Sequence, residues 1–252
     1  MMRRGSAAIA VVGRRVLAAC GRSFQPESAG RKDRPVALVY RGPASLPGCP
    51  EAVAKLLRSS QLGFEVHYVG PRENTALSAS ALAGAAVYAQ PGGDSLARGY
   101  RHMRSHRAAI RKFVHSGGRY LGFCLGGYLA GATPGFDLLP GDTDQYIASP
   151  AATVGTPDDA LVRVCWRGQQ RTLFFQDGPY FWVRPTASAT VVATYPNGTI
   201  AALIAEFGSG RVGVVGPHPE ATADWYADAG LGVTDRLSAD LGLDLVEAVM
   251  RP

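Results

Sequence analysis

The sequence predicts an α/β protein in which a mostly parallel sheet carries helices on both faces, with an antiparallel extension in its second half. Three observations carry this. Between Pro35 and Gly131, short apolar runs of strand length alternate with segments of helical periodicity, joined by glycine-rich turns. From Leu161 onward, strand-like runs follow one another without helices between them. Asn197-Gly198 separates two such runs, the sequence pair most typical of a tight hairpin.

Element by element, VALVY (36–40) is a short apolar run of strand type. PEAVAKLLRSS (50–60) follows with Val53, Leu56 and Leu57 at helical spacing, and Gly63 closes it. FEVHYVG (64–70) alternates Phe64, Val66 and Tyr68 as a second strand, and AAVYAQ (85–90) is a third, stopped by Pro91-Gly92-Gly93. Residues 95–118 read as one long helix, with Leu96, Tyr100, Met103, Ile110 and Val114 along one stripe. Its opposite face carries Arg98, Arg101, Arg104, Arg107 and Arg111, read as a solvated face, with membrane phosphate or an acidic partner as the sharper alternative. RYLGF (119–123) is a fourth strand, and LGGYLAG after it opens another helix. In the second half, strands are expected at 161–166, 171–176, 189–195, 199–207 and 211–216. Leu237, Leu241 and Leu245 mark a closing helix over 235–250.

The formal charge of +6 is confined to one end. Residues 1–34 hold eight Lys/Arg against Glu27 and Asp33, so the chain from Pro35 onward balances to zero. A basic surface for nucleic acid is therefore not expected on the folded body. The leader reads in two ways. Arginines, a small apolar stretch and Leu17-Ala18-Ala19-Cys20-Gly21 are similar to a bacterial lipoprotein signal, in which Cys20 would carry a lipid and supply the only membrane attachment. Arg14 and Arg15 interrupt that apolar stretch, which leaves a basic leader outside the fold as the other reading, and a cytoplasmic protein with it. Residues 1–34 are thus a leader and linker, and 35–252 a single domain. The four cysteines lie at wide spacings without a CxxC pair or a His-Cys cluster, so neither a zinc site nor a disulfide scaffold is expected. Cys49 and Cys165 read as ordinary buried thiols, to be bridged only if the domain is exported. No cofactor is implied.

Cys124 is different. It lies where an apolar strand turns into a helix, flanked by Gly122 and Gly126 as G-x-C-x-G. Such glycines permit a strained turn with close backbone approach, which lifts the side chain to the apex, and the helix N-terminus beyond it favours a thiolate. Free cysteine is also among the most buried residue types, so the elbow alone leaves a spacer and a nucleophile both open. After the run RVGVVG comes Pro217-His218-Pro219-Glu220. Pro219 biases His218 toward extended backbone, which sends His218 and Glu220 to the same side. That supplies a base and a group to orient it. Gly92 and Gly93, at the end of the third strand, could turn backbone N–H groups inward and, with the N–H of Leu125, cradle an oxyanion.

PGG, GFCLGG and PHPE, in that order, resemble the class I glutamine amidotransferase-like superfamily. VYRGPASLPGCPEAV and YLGFCLGGYLAG most resemble the domain named for the N-terminal part of biotin-protein ligases. The resemblance covers roughly residues 35 to 230 and implies a flavodoxin-like fold with a Cys124–His218–Glu220 triad. The sequence has no biotin-adenylate motif of the G-R-G-R-x-G type, so ligase activity is not implied. Glutaminases of this class carry Gln four residues after the nucleophile; here that position is Tyr128, which sets glutamine itself in doubt as the substrate. Gln176 and Asp177, within FFQDGPYFW, would offer polar contacts to a substrate while the aromatics around them read as core. The expected function is a thiol amidohydrolase or amidotransferase-like enzyme acting on a small-molecule amide. The rival is a non-catalytic module on the same fold that binds a small ligand or a protein partner.

Overall fold

A computed structural model describes residues 34–232 and 237–251. The basic leader with Cys20 lies outside the described residues, as do Asp235 and Arg236 of the predicted closing helix. The alternating half is built as β1 (Val36–Tyr40), α1 (Cys49–Ser59), β2 (Glu65–Val69), α2 (Ala79–Ala83), β3 (Val87–Gln90), α3 (Leu96–Met103), α4 (Arg107–His115), β4 (Arg119–Phe123) and α5 (Leu125–Ala130). The strand-rich half adds β5 (Gly141–Gln145), β6 (Ala160–Trp166), β7 (Gln169–Phe175), β8 (Pro179–Val183), β9 (Ala189–Thr194), β10 (Ile200–Phe207) and β11 (Gly210–Val215). Two helices follow, α6 (Ala223–Asp228) and α7 (Ala239–Met250).

Among the described residues the strands form one sheet. Its parallel part runs β2-β1-β3-β4-β11. The order 2-1-3-4, with β11 in the fifth place, is that of a flavodoxin-like sheet. Beyond β11 the pairing turns antiparallel through β10, β9, β6 and β7. β5 and β8 form an antiparallel arm held to β10 by the pair Ile200 and Phe181. The hairpin at Asn197-Gly198 joins β9 to β10, with Gly198 at φ 83°.

Strand alternation feeds two cores. Ala37 and Val39 of β1 pack with Leu57 of α1 and Val246 of α7 on one face. Leu38 and Tyr40 pack with Met103, Ile110 and Leu129, from α3, α4 and α5, on the other. Both faces of the parallel strands are covered, which is why these strands read as unbroken apolar runs.

The predicted single helix over 95–118 is instead two helices separated by a 3₁₀ turn at Arg104–His106. That turn offers no apolar residue to the sheet, and the backbone tightens there without losing the stripe of Met103, Ile110 and Val114, all fully buried. The arginines do not form one solvated face. Arg98 pairs with Asp94 at 2.8 Å in the open, whereas Arg107 and Arg111 are half-buried and turn to the loop after α5. Arg107 donates to the Gly135 carbonyl at 3.0 Å and Arg111 to that of Phe136 at 2.7 Å, and both pair with the Asp137 carboxylate. Two strands have no counterpart among those expected: β5 (GDTDQ), which has no apolar residue, and β8, which lies within the aromatic segment.

Candidate active site

The three motifs meet at one edge of the sheet. β4 lies between β3 and β11, with Gly122 opposite Gln90 and Phe123 opposite Val215 as the last pairs. The segments just beyond these strands are Pro91-Gly92-Gly93, Cys124 and Gly216–Glu220, so all three open at the carboxyl ends of adjacent strands, where ligands collect in such sheets.

Cys124 adopts φ 48° and ψ −104°, a left-handed backbone conformation that a side chain seldom tolerates. Strain of this kind costs about 1–3 kcal/mol and persists only where the surroundings enforce it. The Cys124 N–H donates to the Val215 carbonyl at 2.9 Å, and its carbonyl accepts from the Tyr128 N–H at 3.0 Å. The flanking glycines are required for close approach. A Cβ on Gly122 would lie 2.4 Å from the Gly126 carbonyl oxygen, and one on Gly126 would lie 2.0 Å from that of Gln90. The elbow is thus pressed against itself and against β3.

His218 is held from every side. Its N–H donates to the Phe174 carbonyl at 2.9 Å, an isolated bridge that keeps the segment extended. Its Nδ1 meets Glu220 Oε1 at 2.9 Å, as the i, i+2 spacing predicts. Phe174 and Trp225 stand edge-on to the ring at centroid distances of 6.1 and 5.3 Å. A Cβ on Gly92 would lie 2.8 Å from the ring's Cε1. His218 and Glu220 are 2% and 4% exposed, and His218 Nε2 and Glu220 Oε2 have no hydrogen-bond partner among the described residues. Burial alone would lower the imidazole, but the charge of Glu220 and then the influence of Cys124 override it and raise His218 to about 10. No hydrogen bond of normal geometry joins the Cys124 thiol to Nε2; Sγ donates to the Gln176 carbonyl at 3.4 Å.

A pocket of about 480 Å³ lies over the elbow. Cys124, Gly93, Leu125, Tyr128, Gln176 and Asp177 line it, so most of the residues expected from sequence share one cavity. Neither the Gly93 nor the Leu125 N–H has an acceptor among the described residues. Gly92 does not reach the wall; it packs on His218, and its carbonyl accepts from the Leu46 N–H at 3.2 Å. His218 and Glu220 also lie behind the wall. Tyr128 donates its hydroxyl to the Asp177 carbonyl at 3.1 Å, and burial raises its phenol further above the ordinary tyrosine range. Asp177, at φ 46°, accepts from the Gln145 amide on both carboxylate oxygens at 2.8 Å. Sequence reasoning missed Asp144 and Gln145 of β5 and Leu46, all on the wall.

The other thiols are not part of this wall. Burial pushes the Cys49 thiol far up, reinforced by the charges of Glu220 and Cys124, and keeps it neutral. Cys165 is on β6, and both are free rather than bridged.

This strand order, with a cysteine elbow at its carboxyl edge, is a flavodoxin-like α/β fold. Residues 36–148 match the family model "Biotin-protein ligase, N terminal", a segment that includes Cys124 and ends before His218. No curated protein sequence matches the chain. Among solved structures, a GMP synthase-type protein from Thermoplasma acidophilum is similar at 11% identity and TM-score 0.53, covering 85% of this chain and 95% of that one. A cytoplasmic protein from Salmonella typhimurium is similar at 13% identity and TM-score 0.52, covering 86% of this chain and all of the other. An exo-β-1,4-mannosidase from an Opitutaceae bacterium is similar at 17% identity and TM-score 0.52, but only 36% of that chain is covered. These likenesses establish the fold.

Proposed function

We propose that this protein is a thiol-dependent amidohydrolase or amidotransferase-like enzyme that opens a small amide through Cys124. One juxtaposition carries the reading: a cysteine in strained backbone at a pocket wall, on the strand beside the one that delivers a buried histidine held by Glu220 at 2.9 Å. In this reading the proton between Cys124 Sγ and His218 Nε2 rests on the imidazole, because Glu220 favours the imidazolium, and Sγ attacks with no further proton transfer. Sγ adds to the amide carbon, and the carbonyl electron pair moves to oxygen, where the free N–H groups of Gly93 and Leu125 receive it. The C–N bond breaks as His218 returns the proton to the leaving nitrogen, which leaves a thioester. Water then adds with His218 as base, and the C–S bond breaks, which leaves the proton on His218 beside Sγ as at the start.

Tyr128 favours a second reading, because it fills the position where glutaminases of this class carry Gln: a module that binds a small ligand without turnover. Alkylation by iodoacetamide, read by peptide mass, separates the two. An enzyme labels at Cys124 well before Cys49 and Cys165, and His218→Ala slows that labelling by about tenfold or more. Equal labelling of the three thiols would overturn the nucleophile. A product screen over free and peptide-linked amides, with Cys124→Ala as control, then finds the substrate.

A further inference from the structure

The charge of the pocket wall bears on what the pocket accepts. Asp94, Asp144 and Asp177 all line it, and among the described residues no lysine, arginine or histidine does. Asp94 is partly answered by Arg98 at 2.8 Å. Asp144 and Asp177 are not: they accept from the backbone N–H and the side-chain amide of Gln145, both uncharged. Asp158 and Asp159, both exposed, adjoin Pro157 of the same wall. The two carboxylates act on a neighbour already, since after burial and Cys124 they are what raises the Tyr128 phenol. Carboxylates on a concave, partly enclosed wall concentrate a negative field in the cavity. An anionic group entering beside Asp177 would face repulsion with no cation on the wall to offset it, whereas an ammonium would gain a charge-assisted hydrogen bond.

We propose that the pocket takes a small amide carrying a positive charge, an ammonium or a guanidinium, and that Asp144 and Asp177 are the residues that select it. This rests on Cys124 being the reactive group of the pocket. It also gives Gln145 a role, since its amide fixes the Asp177 carboxylate from the side and leaves its remaining lone pairs to a ligand.

Charged thiol reagents test this on the full chain, apart from turnover. The probes are 2-(trimethylammonium)ethyl and 2-sulfonatoethyl methanethiosulfonate, with the neutral methyl reagent as reference. Each rate is read on the Cys124 peptide by mass and divided by the rate with free 2-mercaptoethanol. The normalised preference for the cation should be about tenfold or more at low salt and shrink as salt is added. The pair Asp144→Asn and Asp177→Asn should bring it to about one; asparagine suits the left-handed backbone at 177. Should that pair fail to fold, Asp144→Asn alone, at an exposed position, should still lower the preference. Any change in thiolate fraction affects all three reagents alike and cancels in the ratio. A wild-type ratio near or below one overturns the inference while leaving the nucleophile standing, and a ratio unchanged in the variants overturns its assignment to these two aspartates. Failure of Cys124 to react with the neutral reagent removes the nucleophile and the inference with it.

Discussion

At residue scale, the site depends on one histidine being kept charged where burial alone would discharge it. His218 is raised from its ordinary 6.5 to about 10, with Glu220 as the leading cause among those that raise it. A group that binds its proton more tightly when folded stabilises the fold fully below its unfolded value and loses that contribution as pH climbs through the folded one. The native protein should therefore lose stability between about pH 6.5 and 10 through this residue, over and above what its other groups do. Glu220→Gln removes the counter-charge, so burial returns the imidazole to neutrality and the extra slope should vanish. Urea midpoints of wild type and variant across this range check the point. Parallel curves would mean that His218 is neutral in the native state. Cys49, buried nearby, is no competitor: burial penalises its thiolate most, and the charges of Glu220 and Cys124 add to that penalty.

At the scale of elements, what the sequence reveals follows burial. β1, β3 and β4 are covered on both faces, so each reads as an apolar run, and the elbow glycines are dictated by backbone contacts within the same short segment. The polar wall of the pocket is harder to read. Asp144 and Gln145 reach it because β5 pairs with β8, from residues far along the chain, and nothing local in GDTDQ announces a strand. The interrupted helix is a similar case, since a 3₁₀ turn preserves the apolar stripe while redirecting the arginines. That redirection can be tested. Arg111 is 30% exposed and holds the loop at Phe136 and Asp137, so Arg111→Ala should destabilise by about 1–2 kcal/mol, after allowing for solvent screening of its ion pair. Arg101, exposed on the same stripe, should be neutral within about 0.5 kcal/mol when changed to Ala. Equal effects in thermal unfolding would restore the picture of a uniform solvated face.

At the scale of the whole molecule, charge and fold are separated along the chain. Both apolar cores and the candidate site are built from residues at or beyond Val36. The formal excess of +6 sits in residues 1–34, which carry no periodic apolar face, while the remainder is balanced. Attraction to polyanions scales with the cations a surface can present together, so it should belong to the leader and not to the sheet. A fragment beginning at Arg34 should keep the unfolding midpoint of the full chain, because it retains every strand and helix from β1 to α7. On heparin at low salt, the full chain should be retained and released as salt rises, while the fragment passes through. Retention of the fragment would show that the folded body offers a concentrated basic surface despite its balanced charge, and Arg98, Arg101 and Arg104, exposed along α3 and the turn after it, would be the first place to look for it.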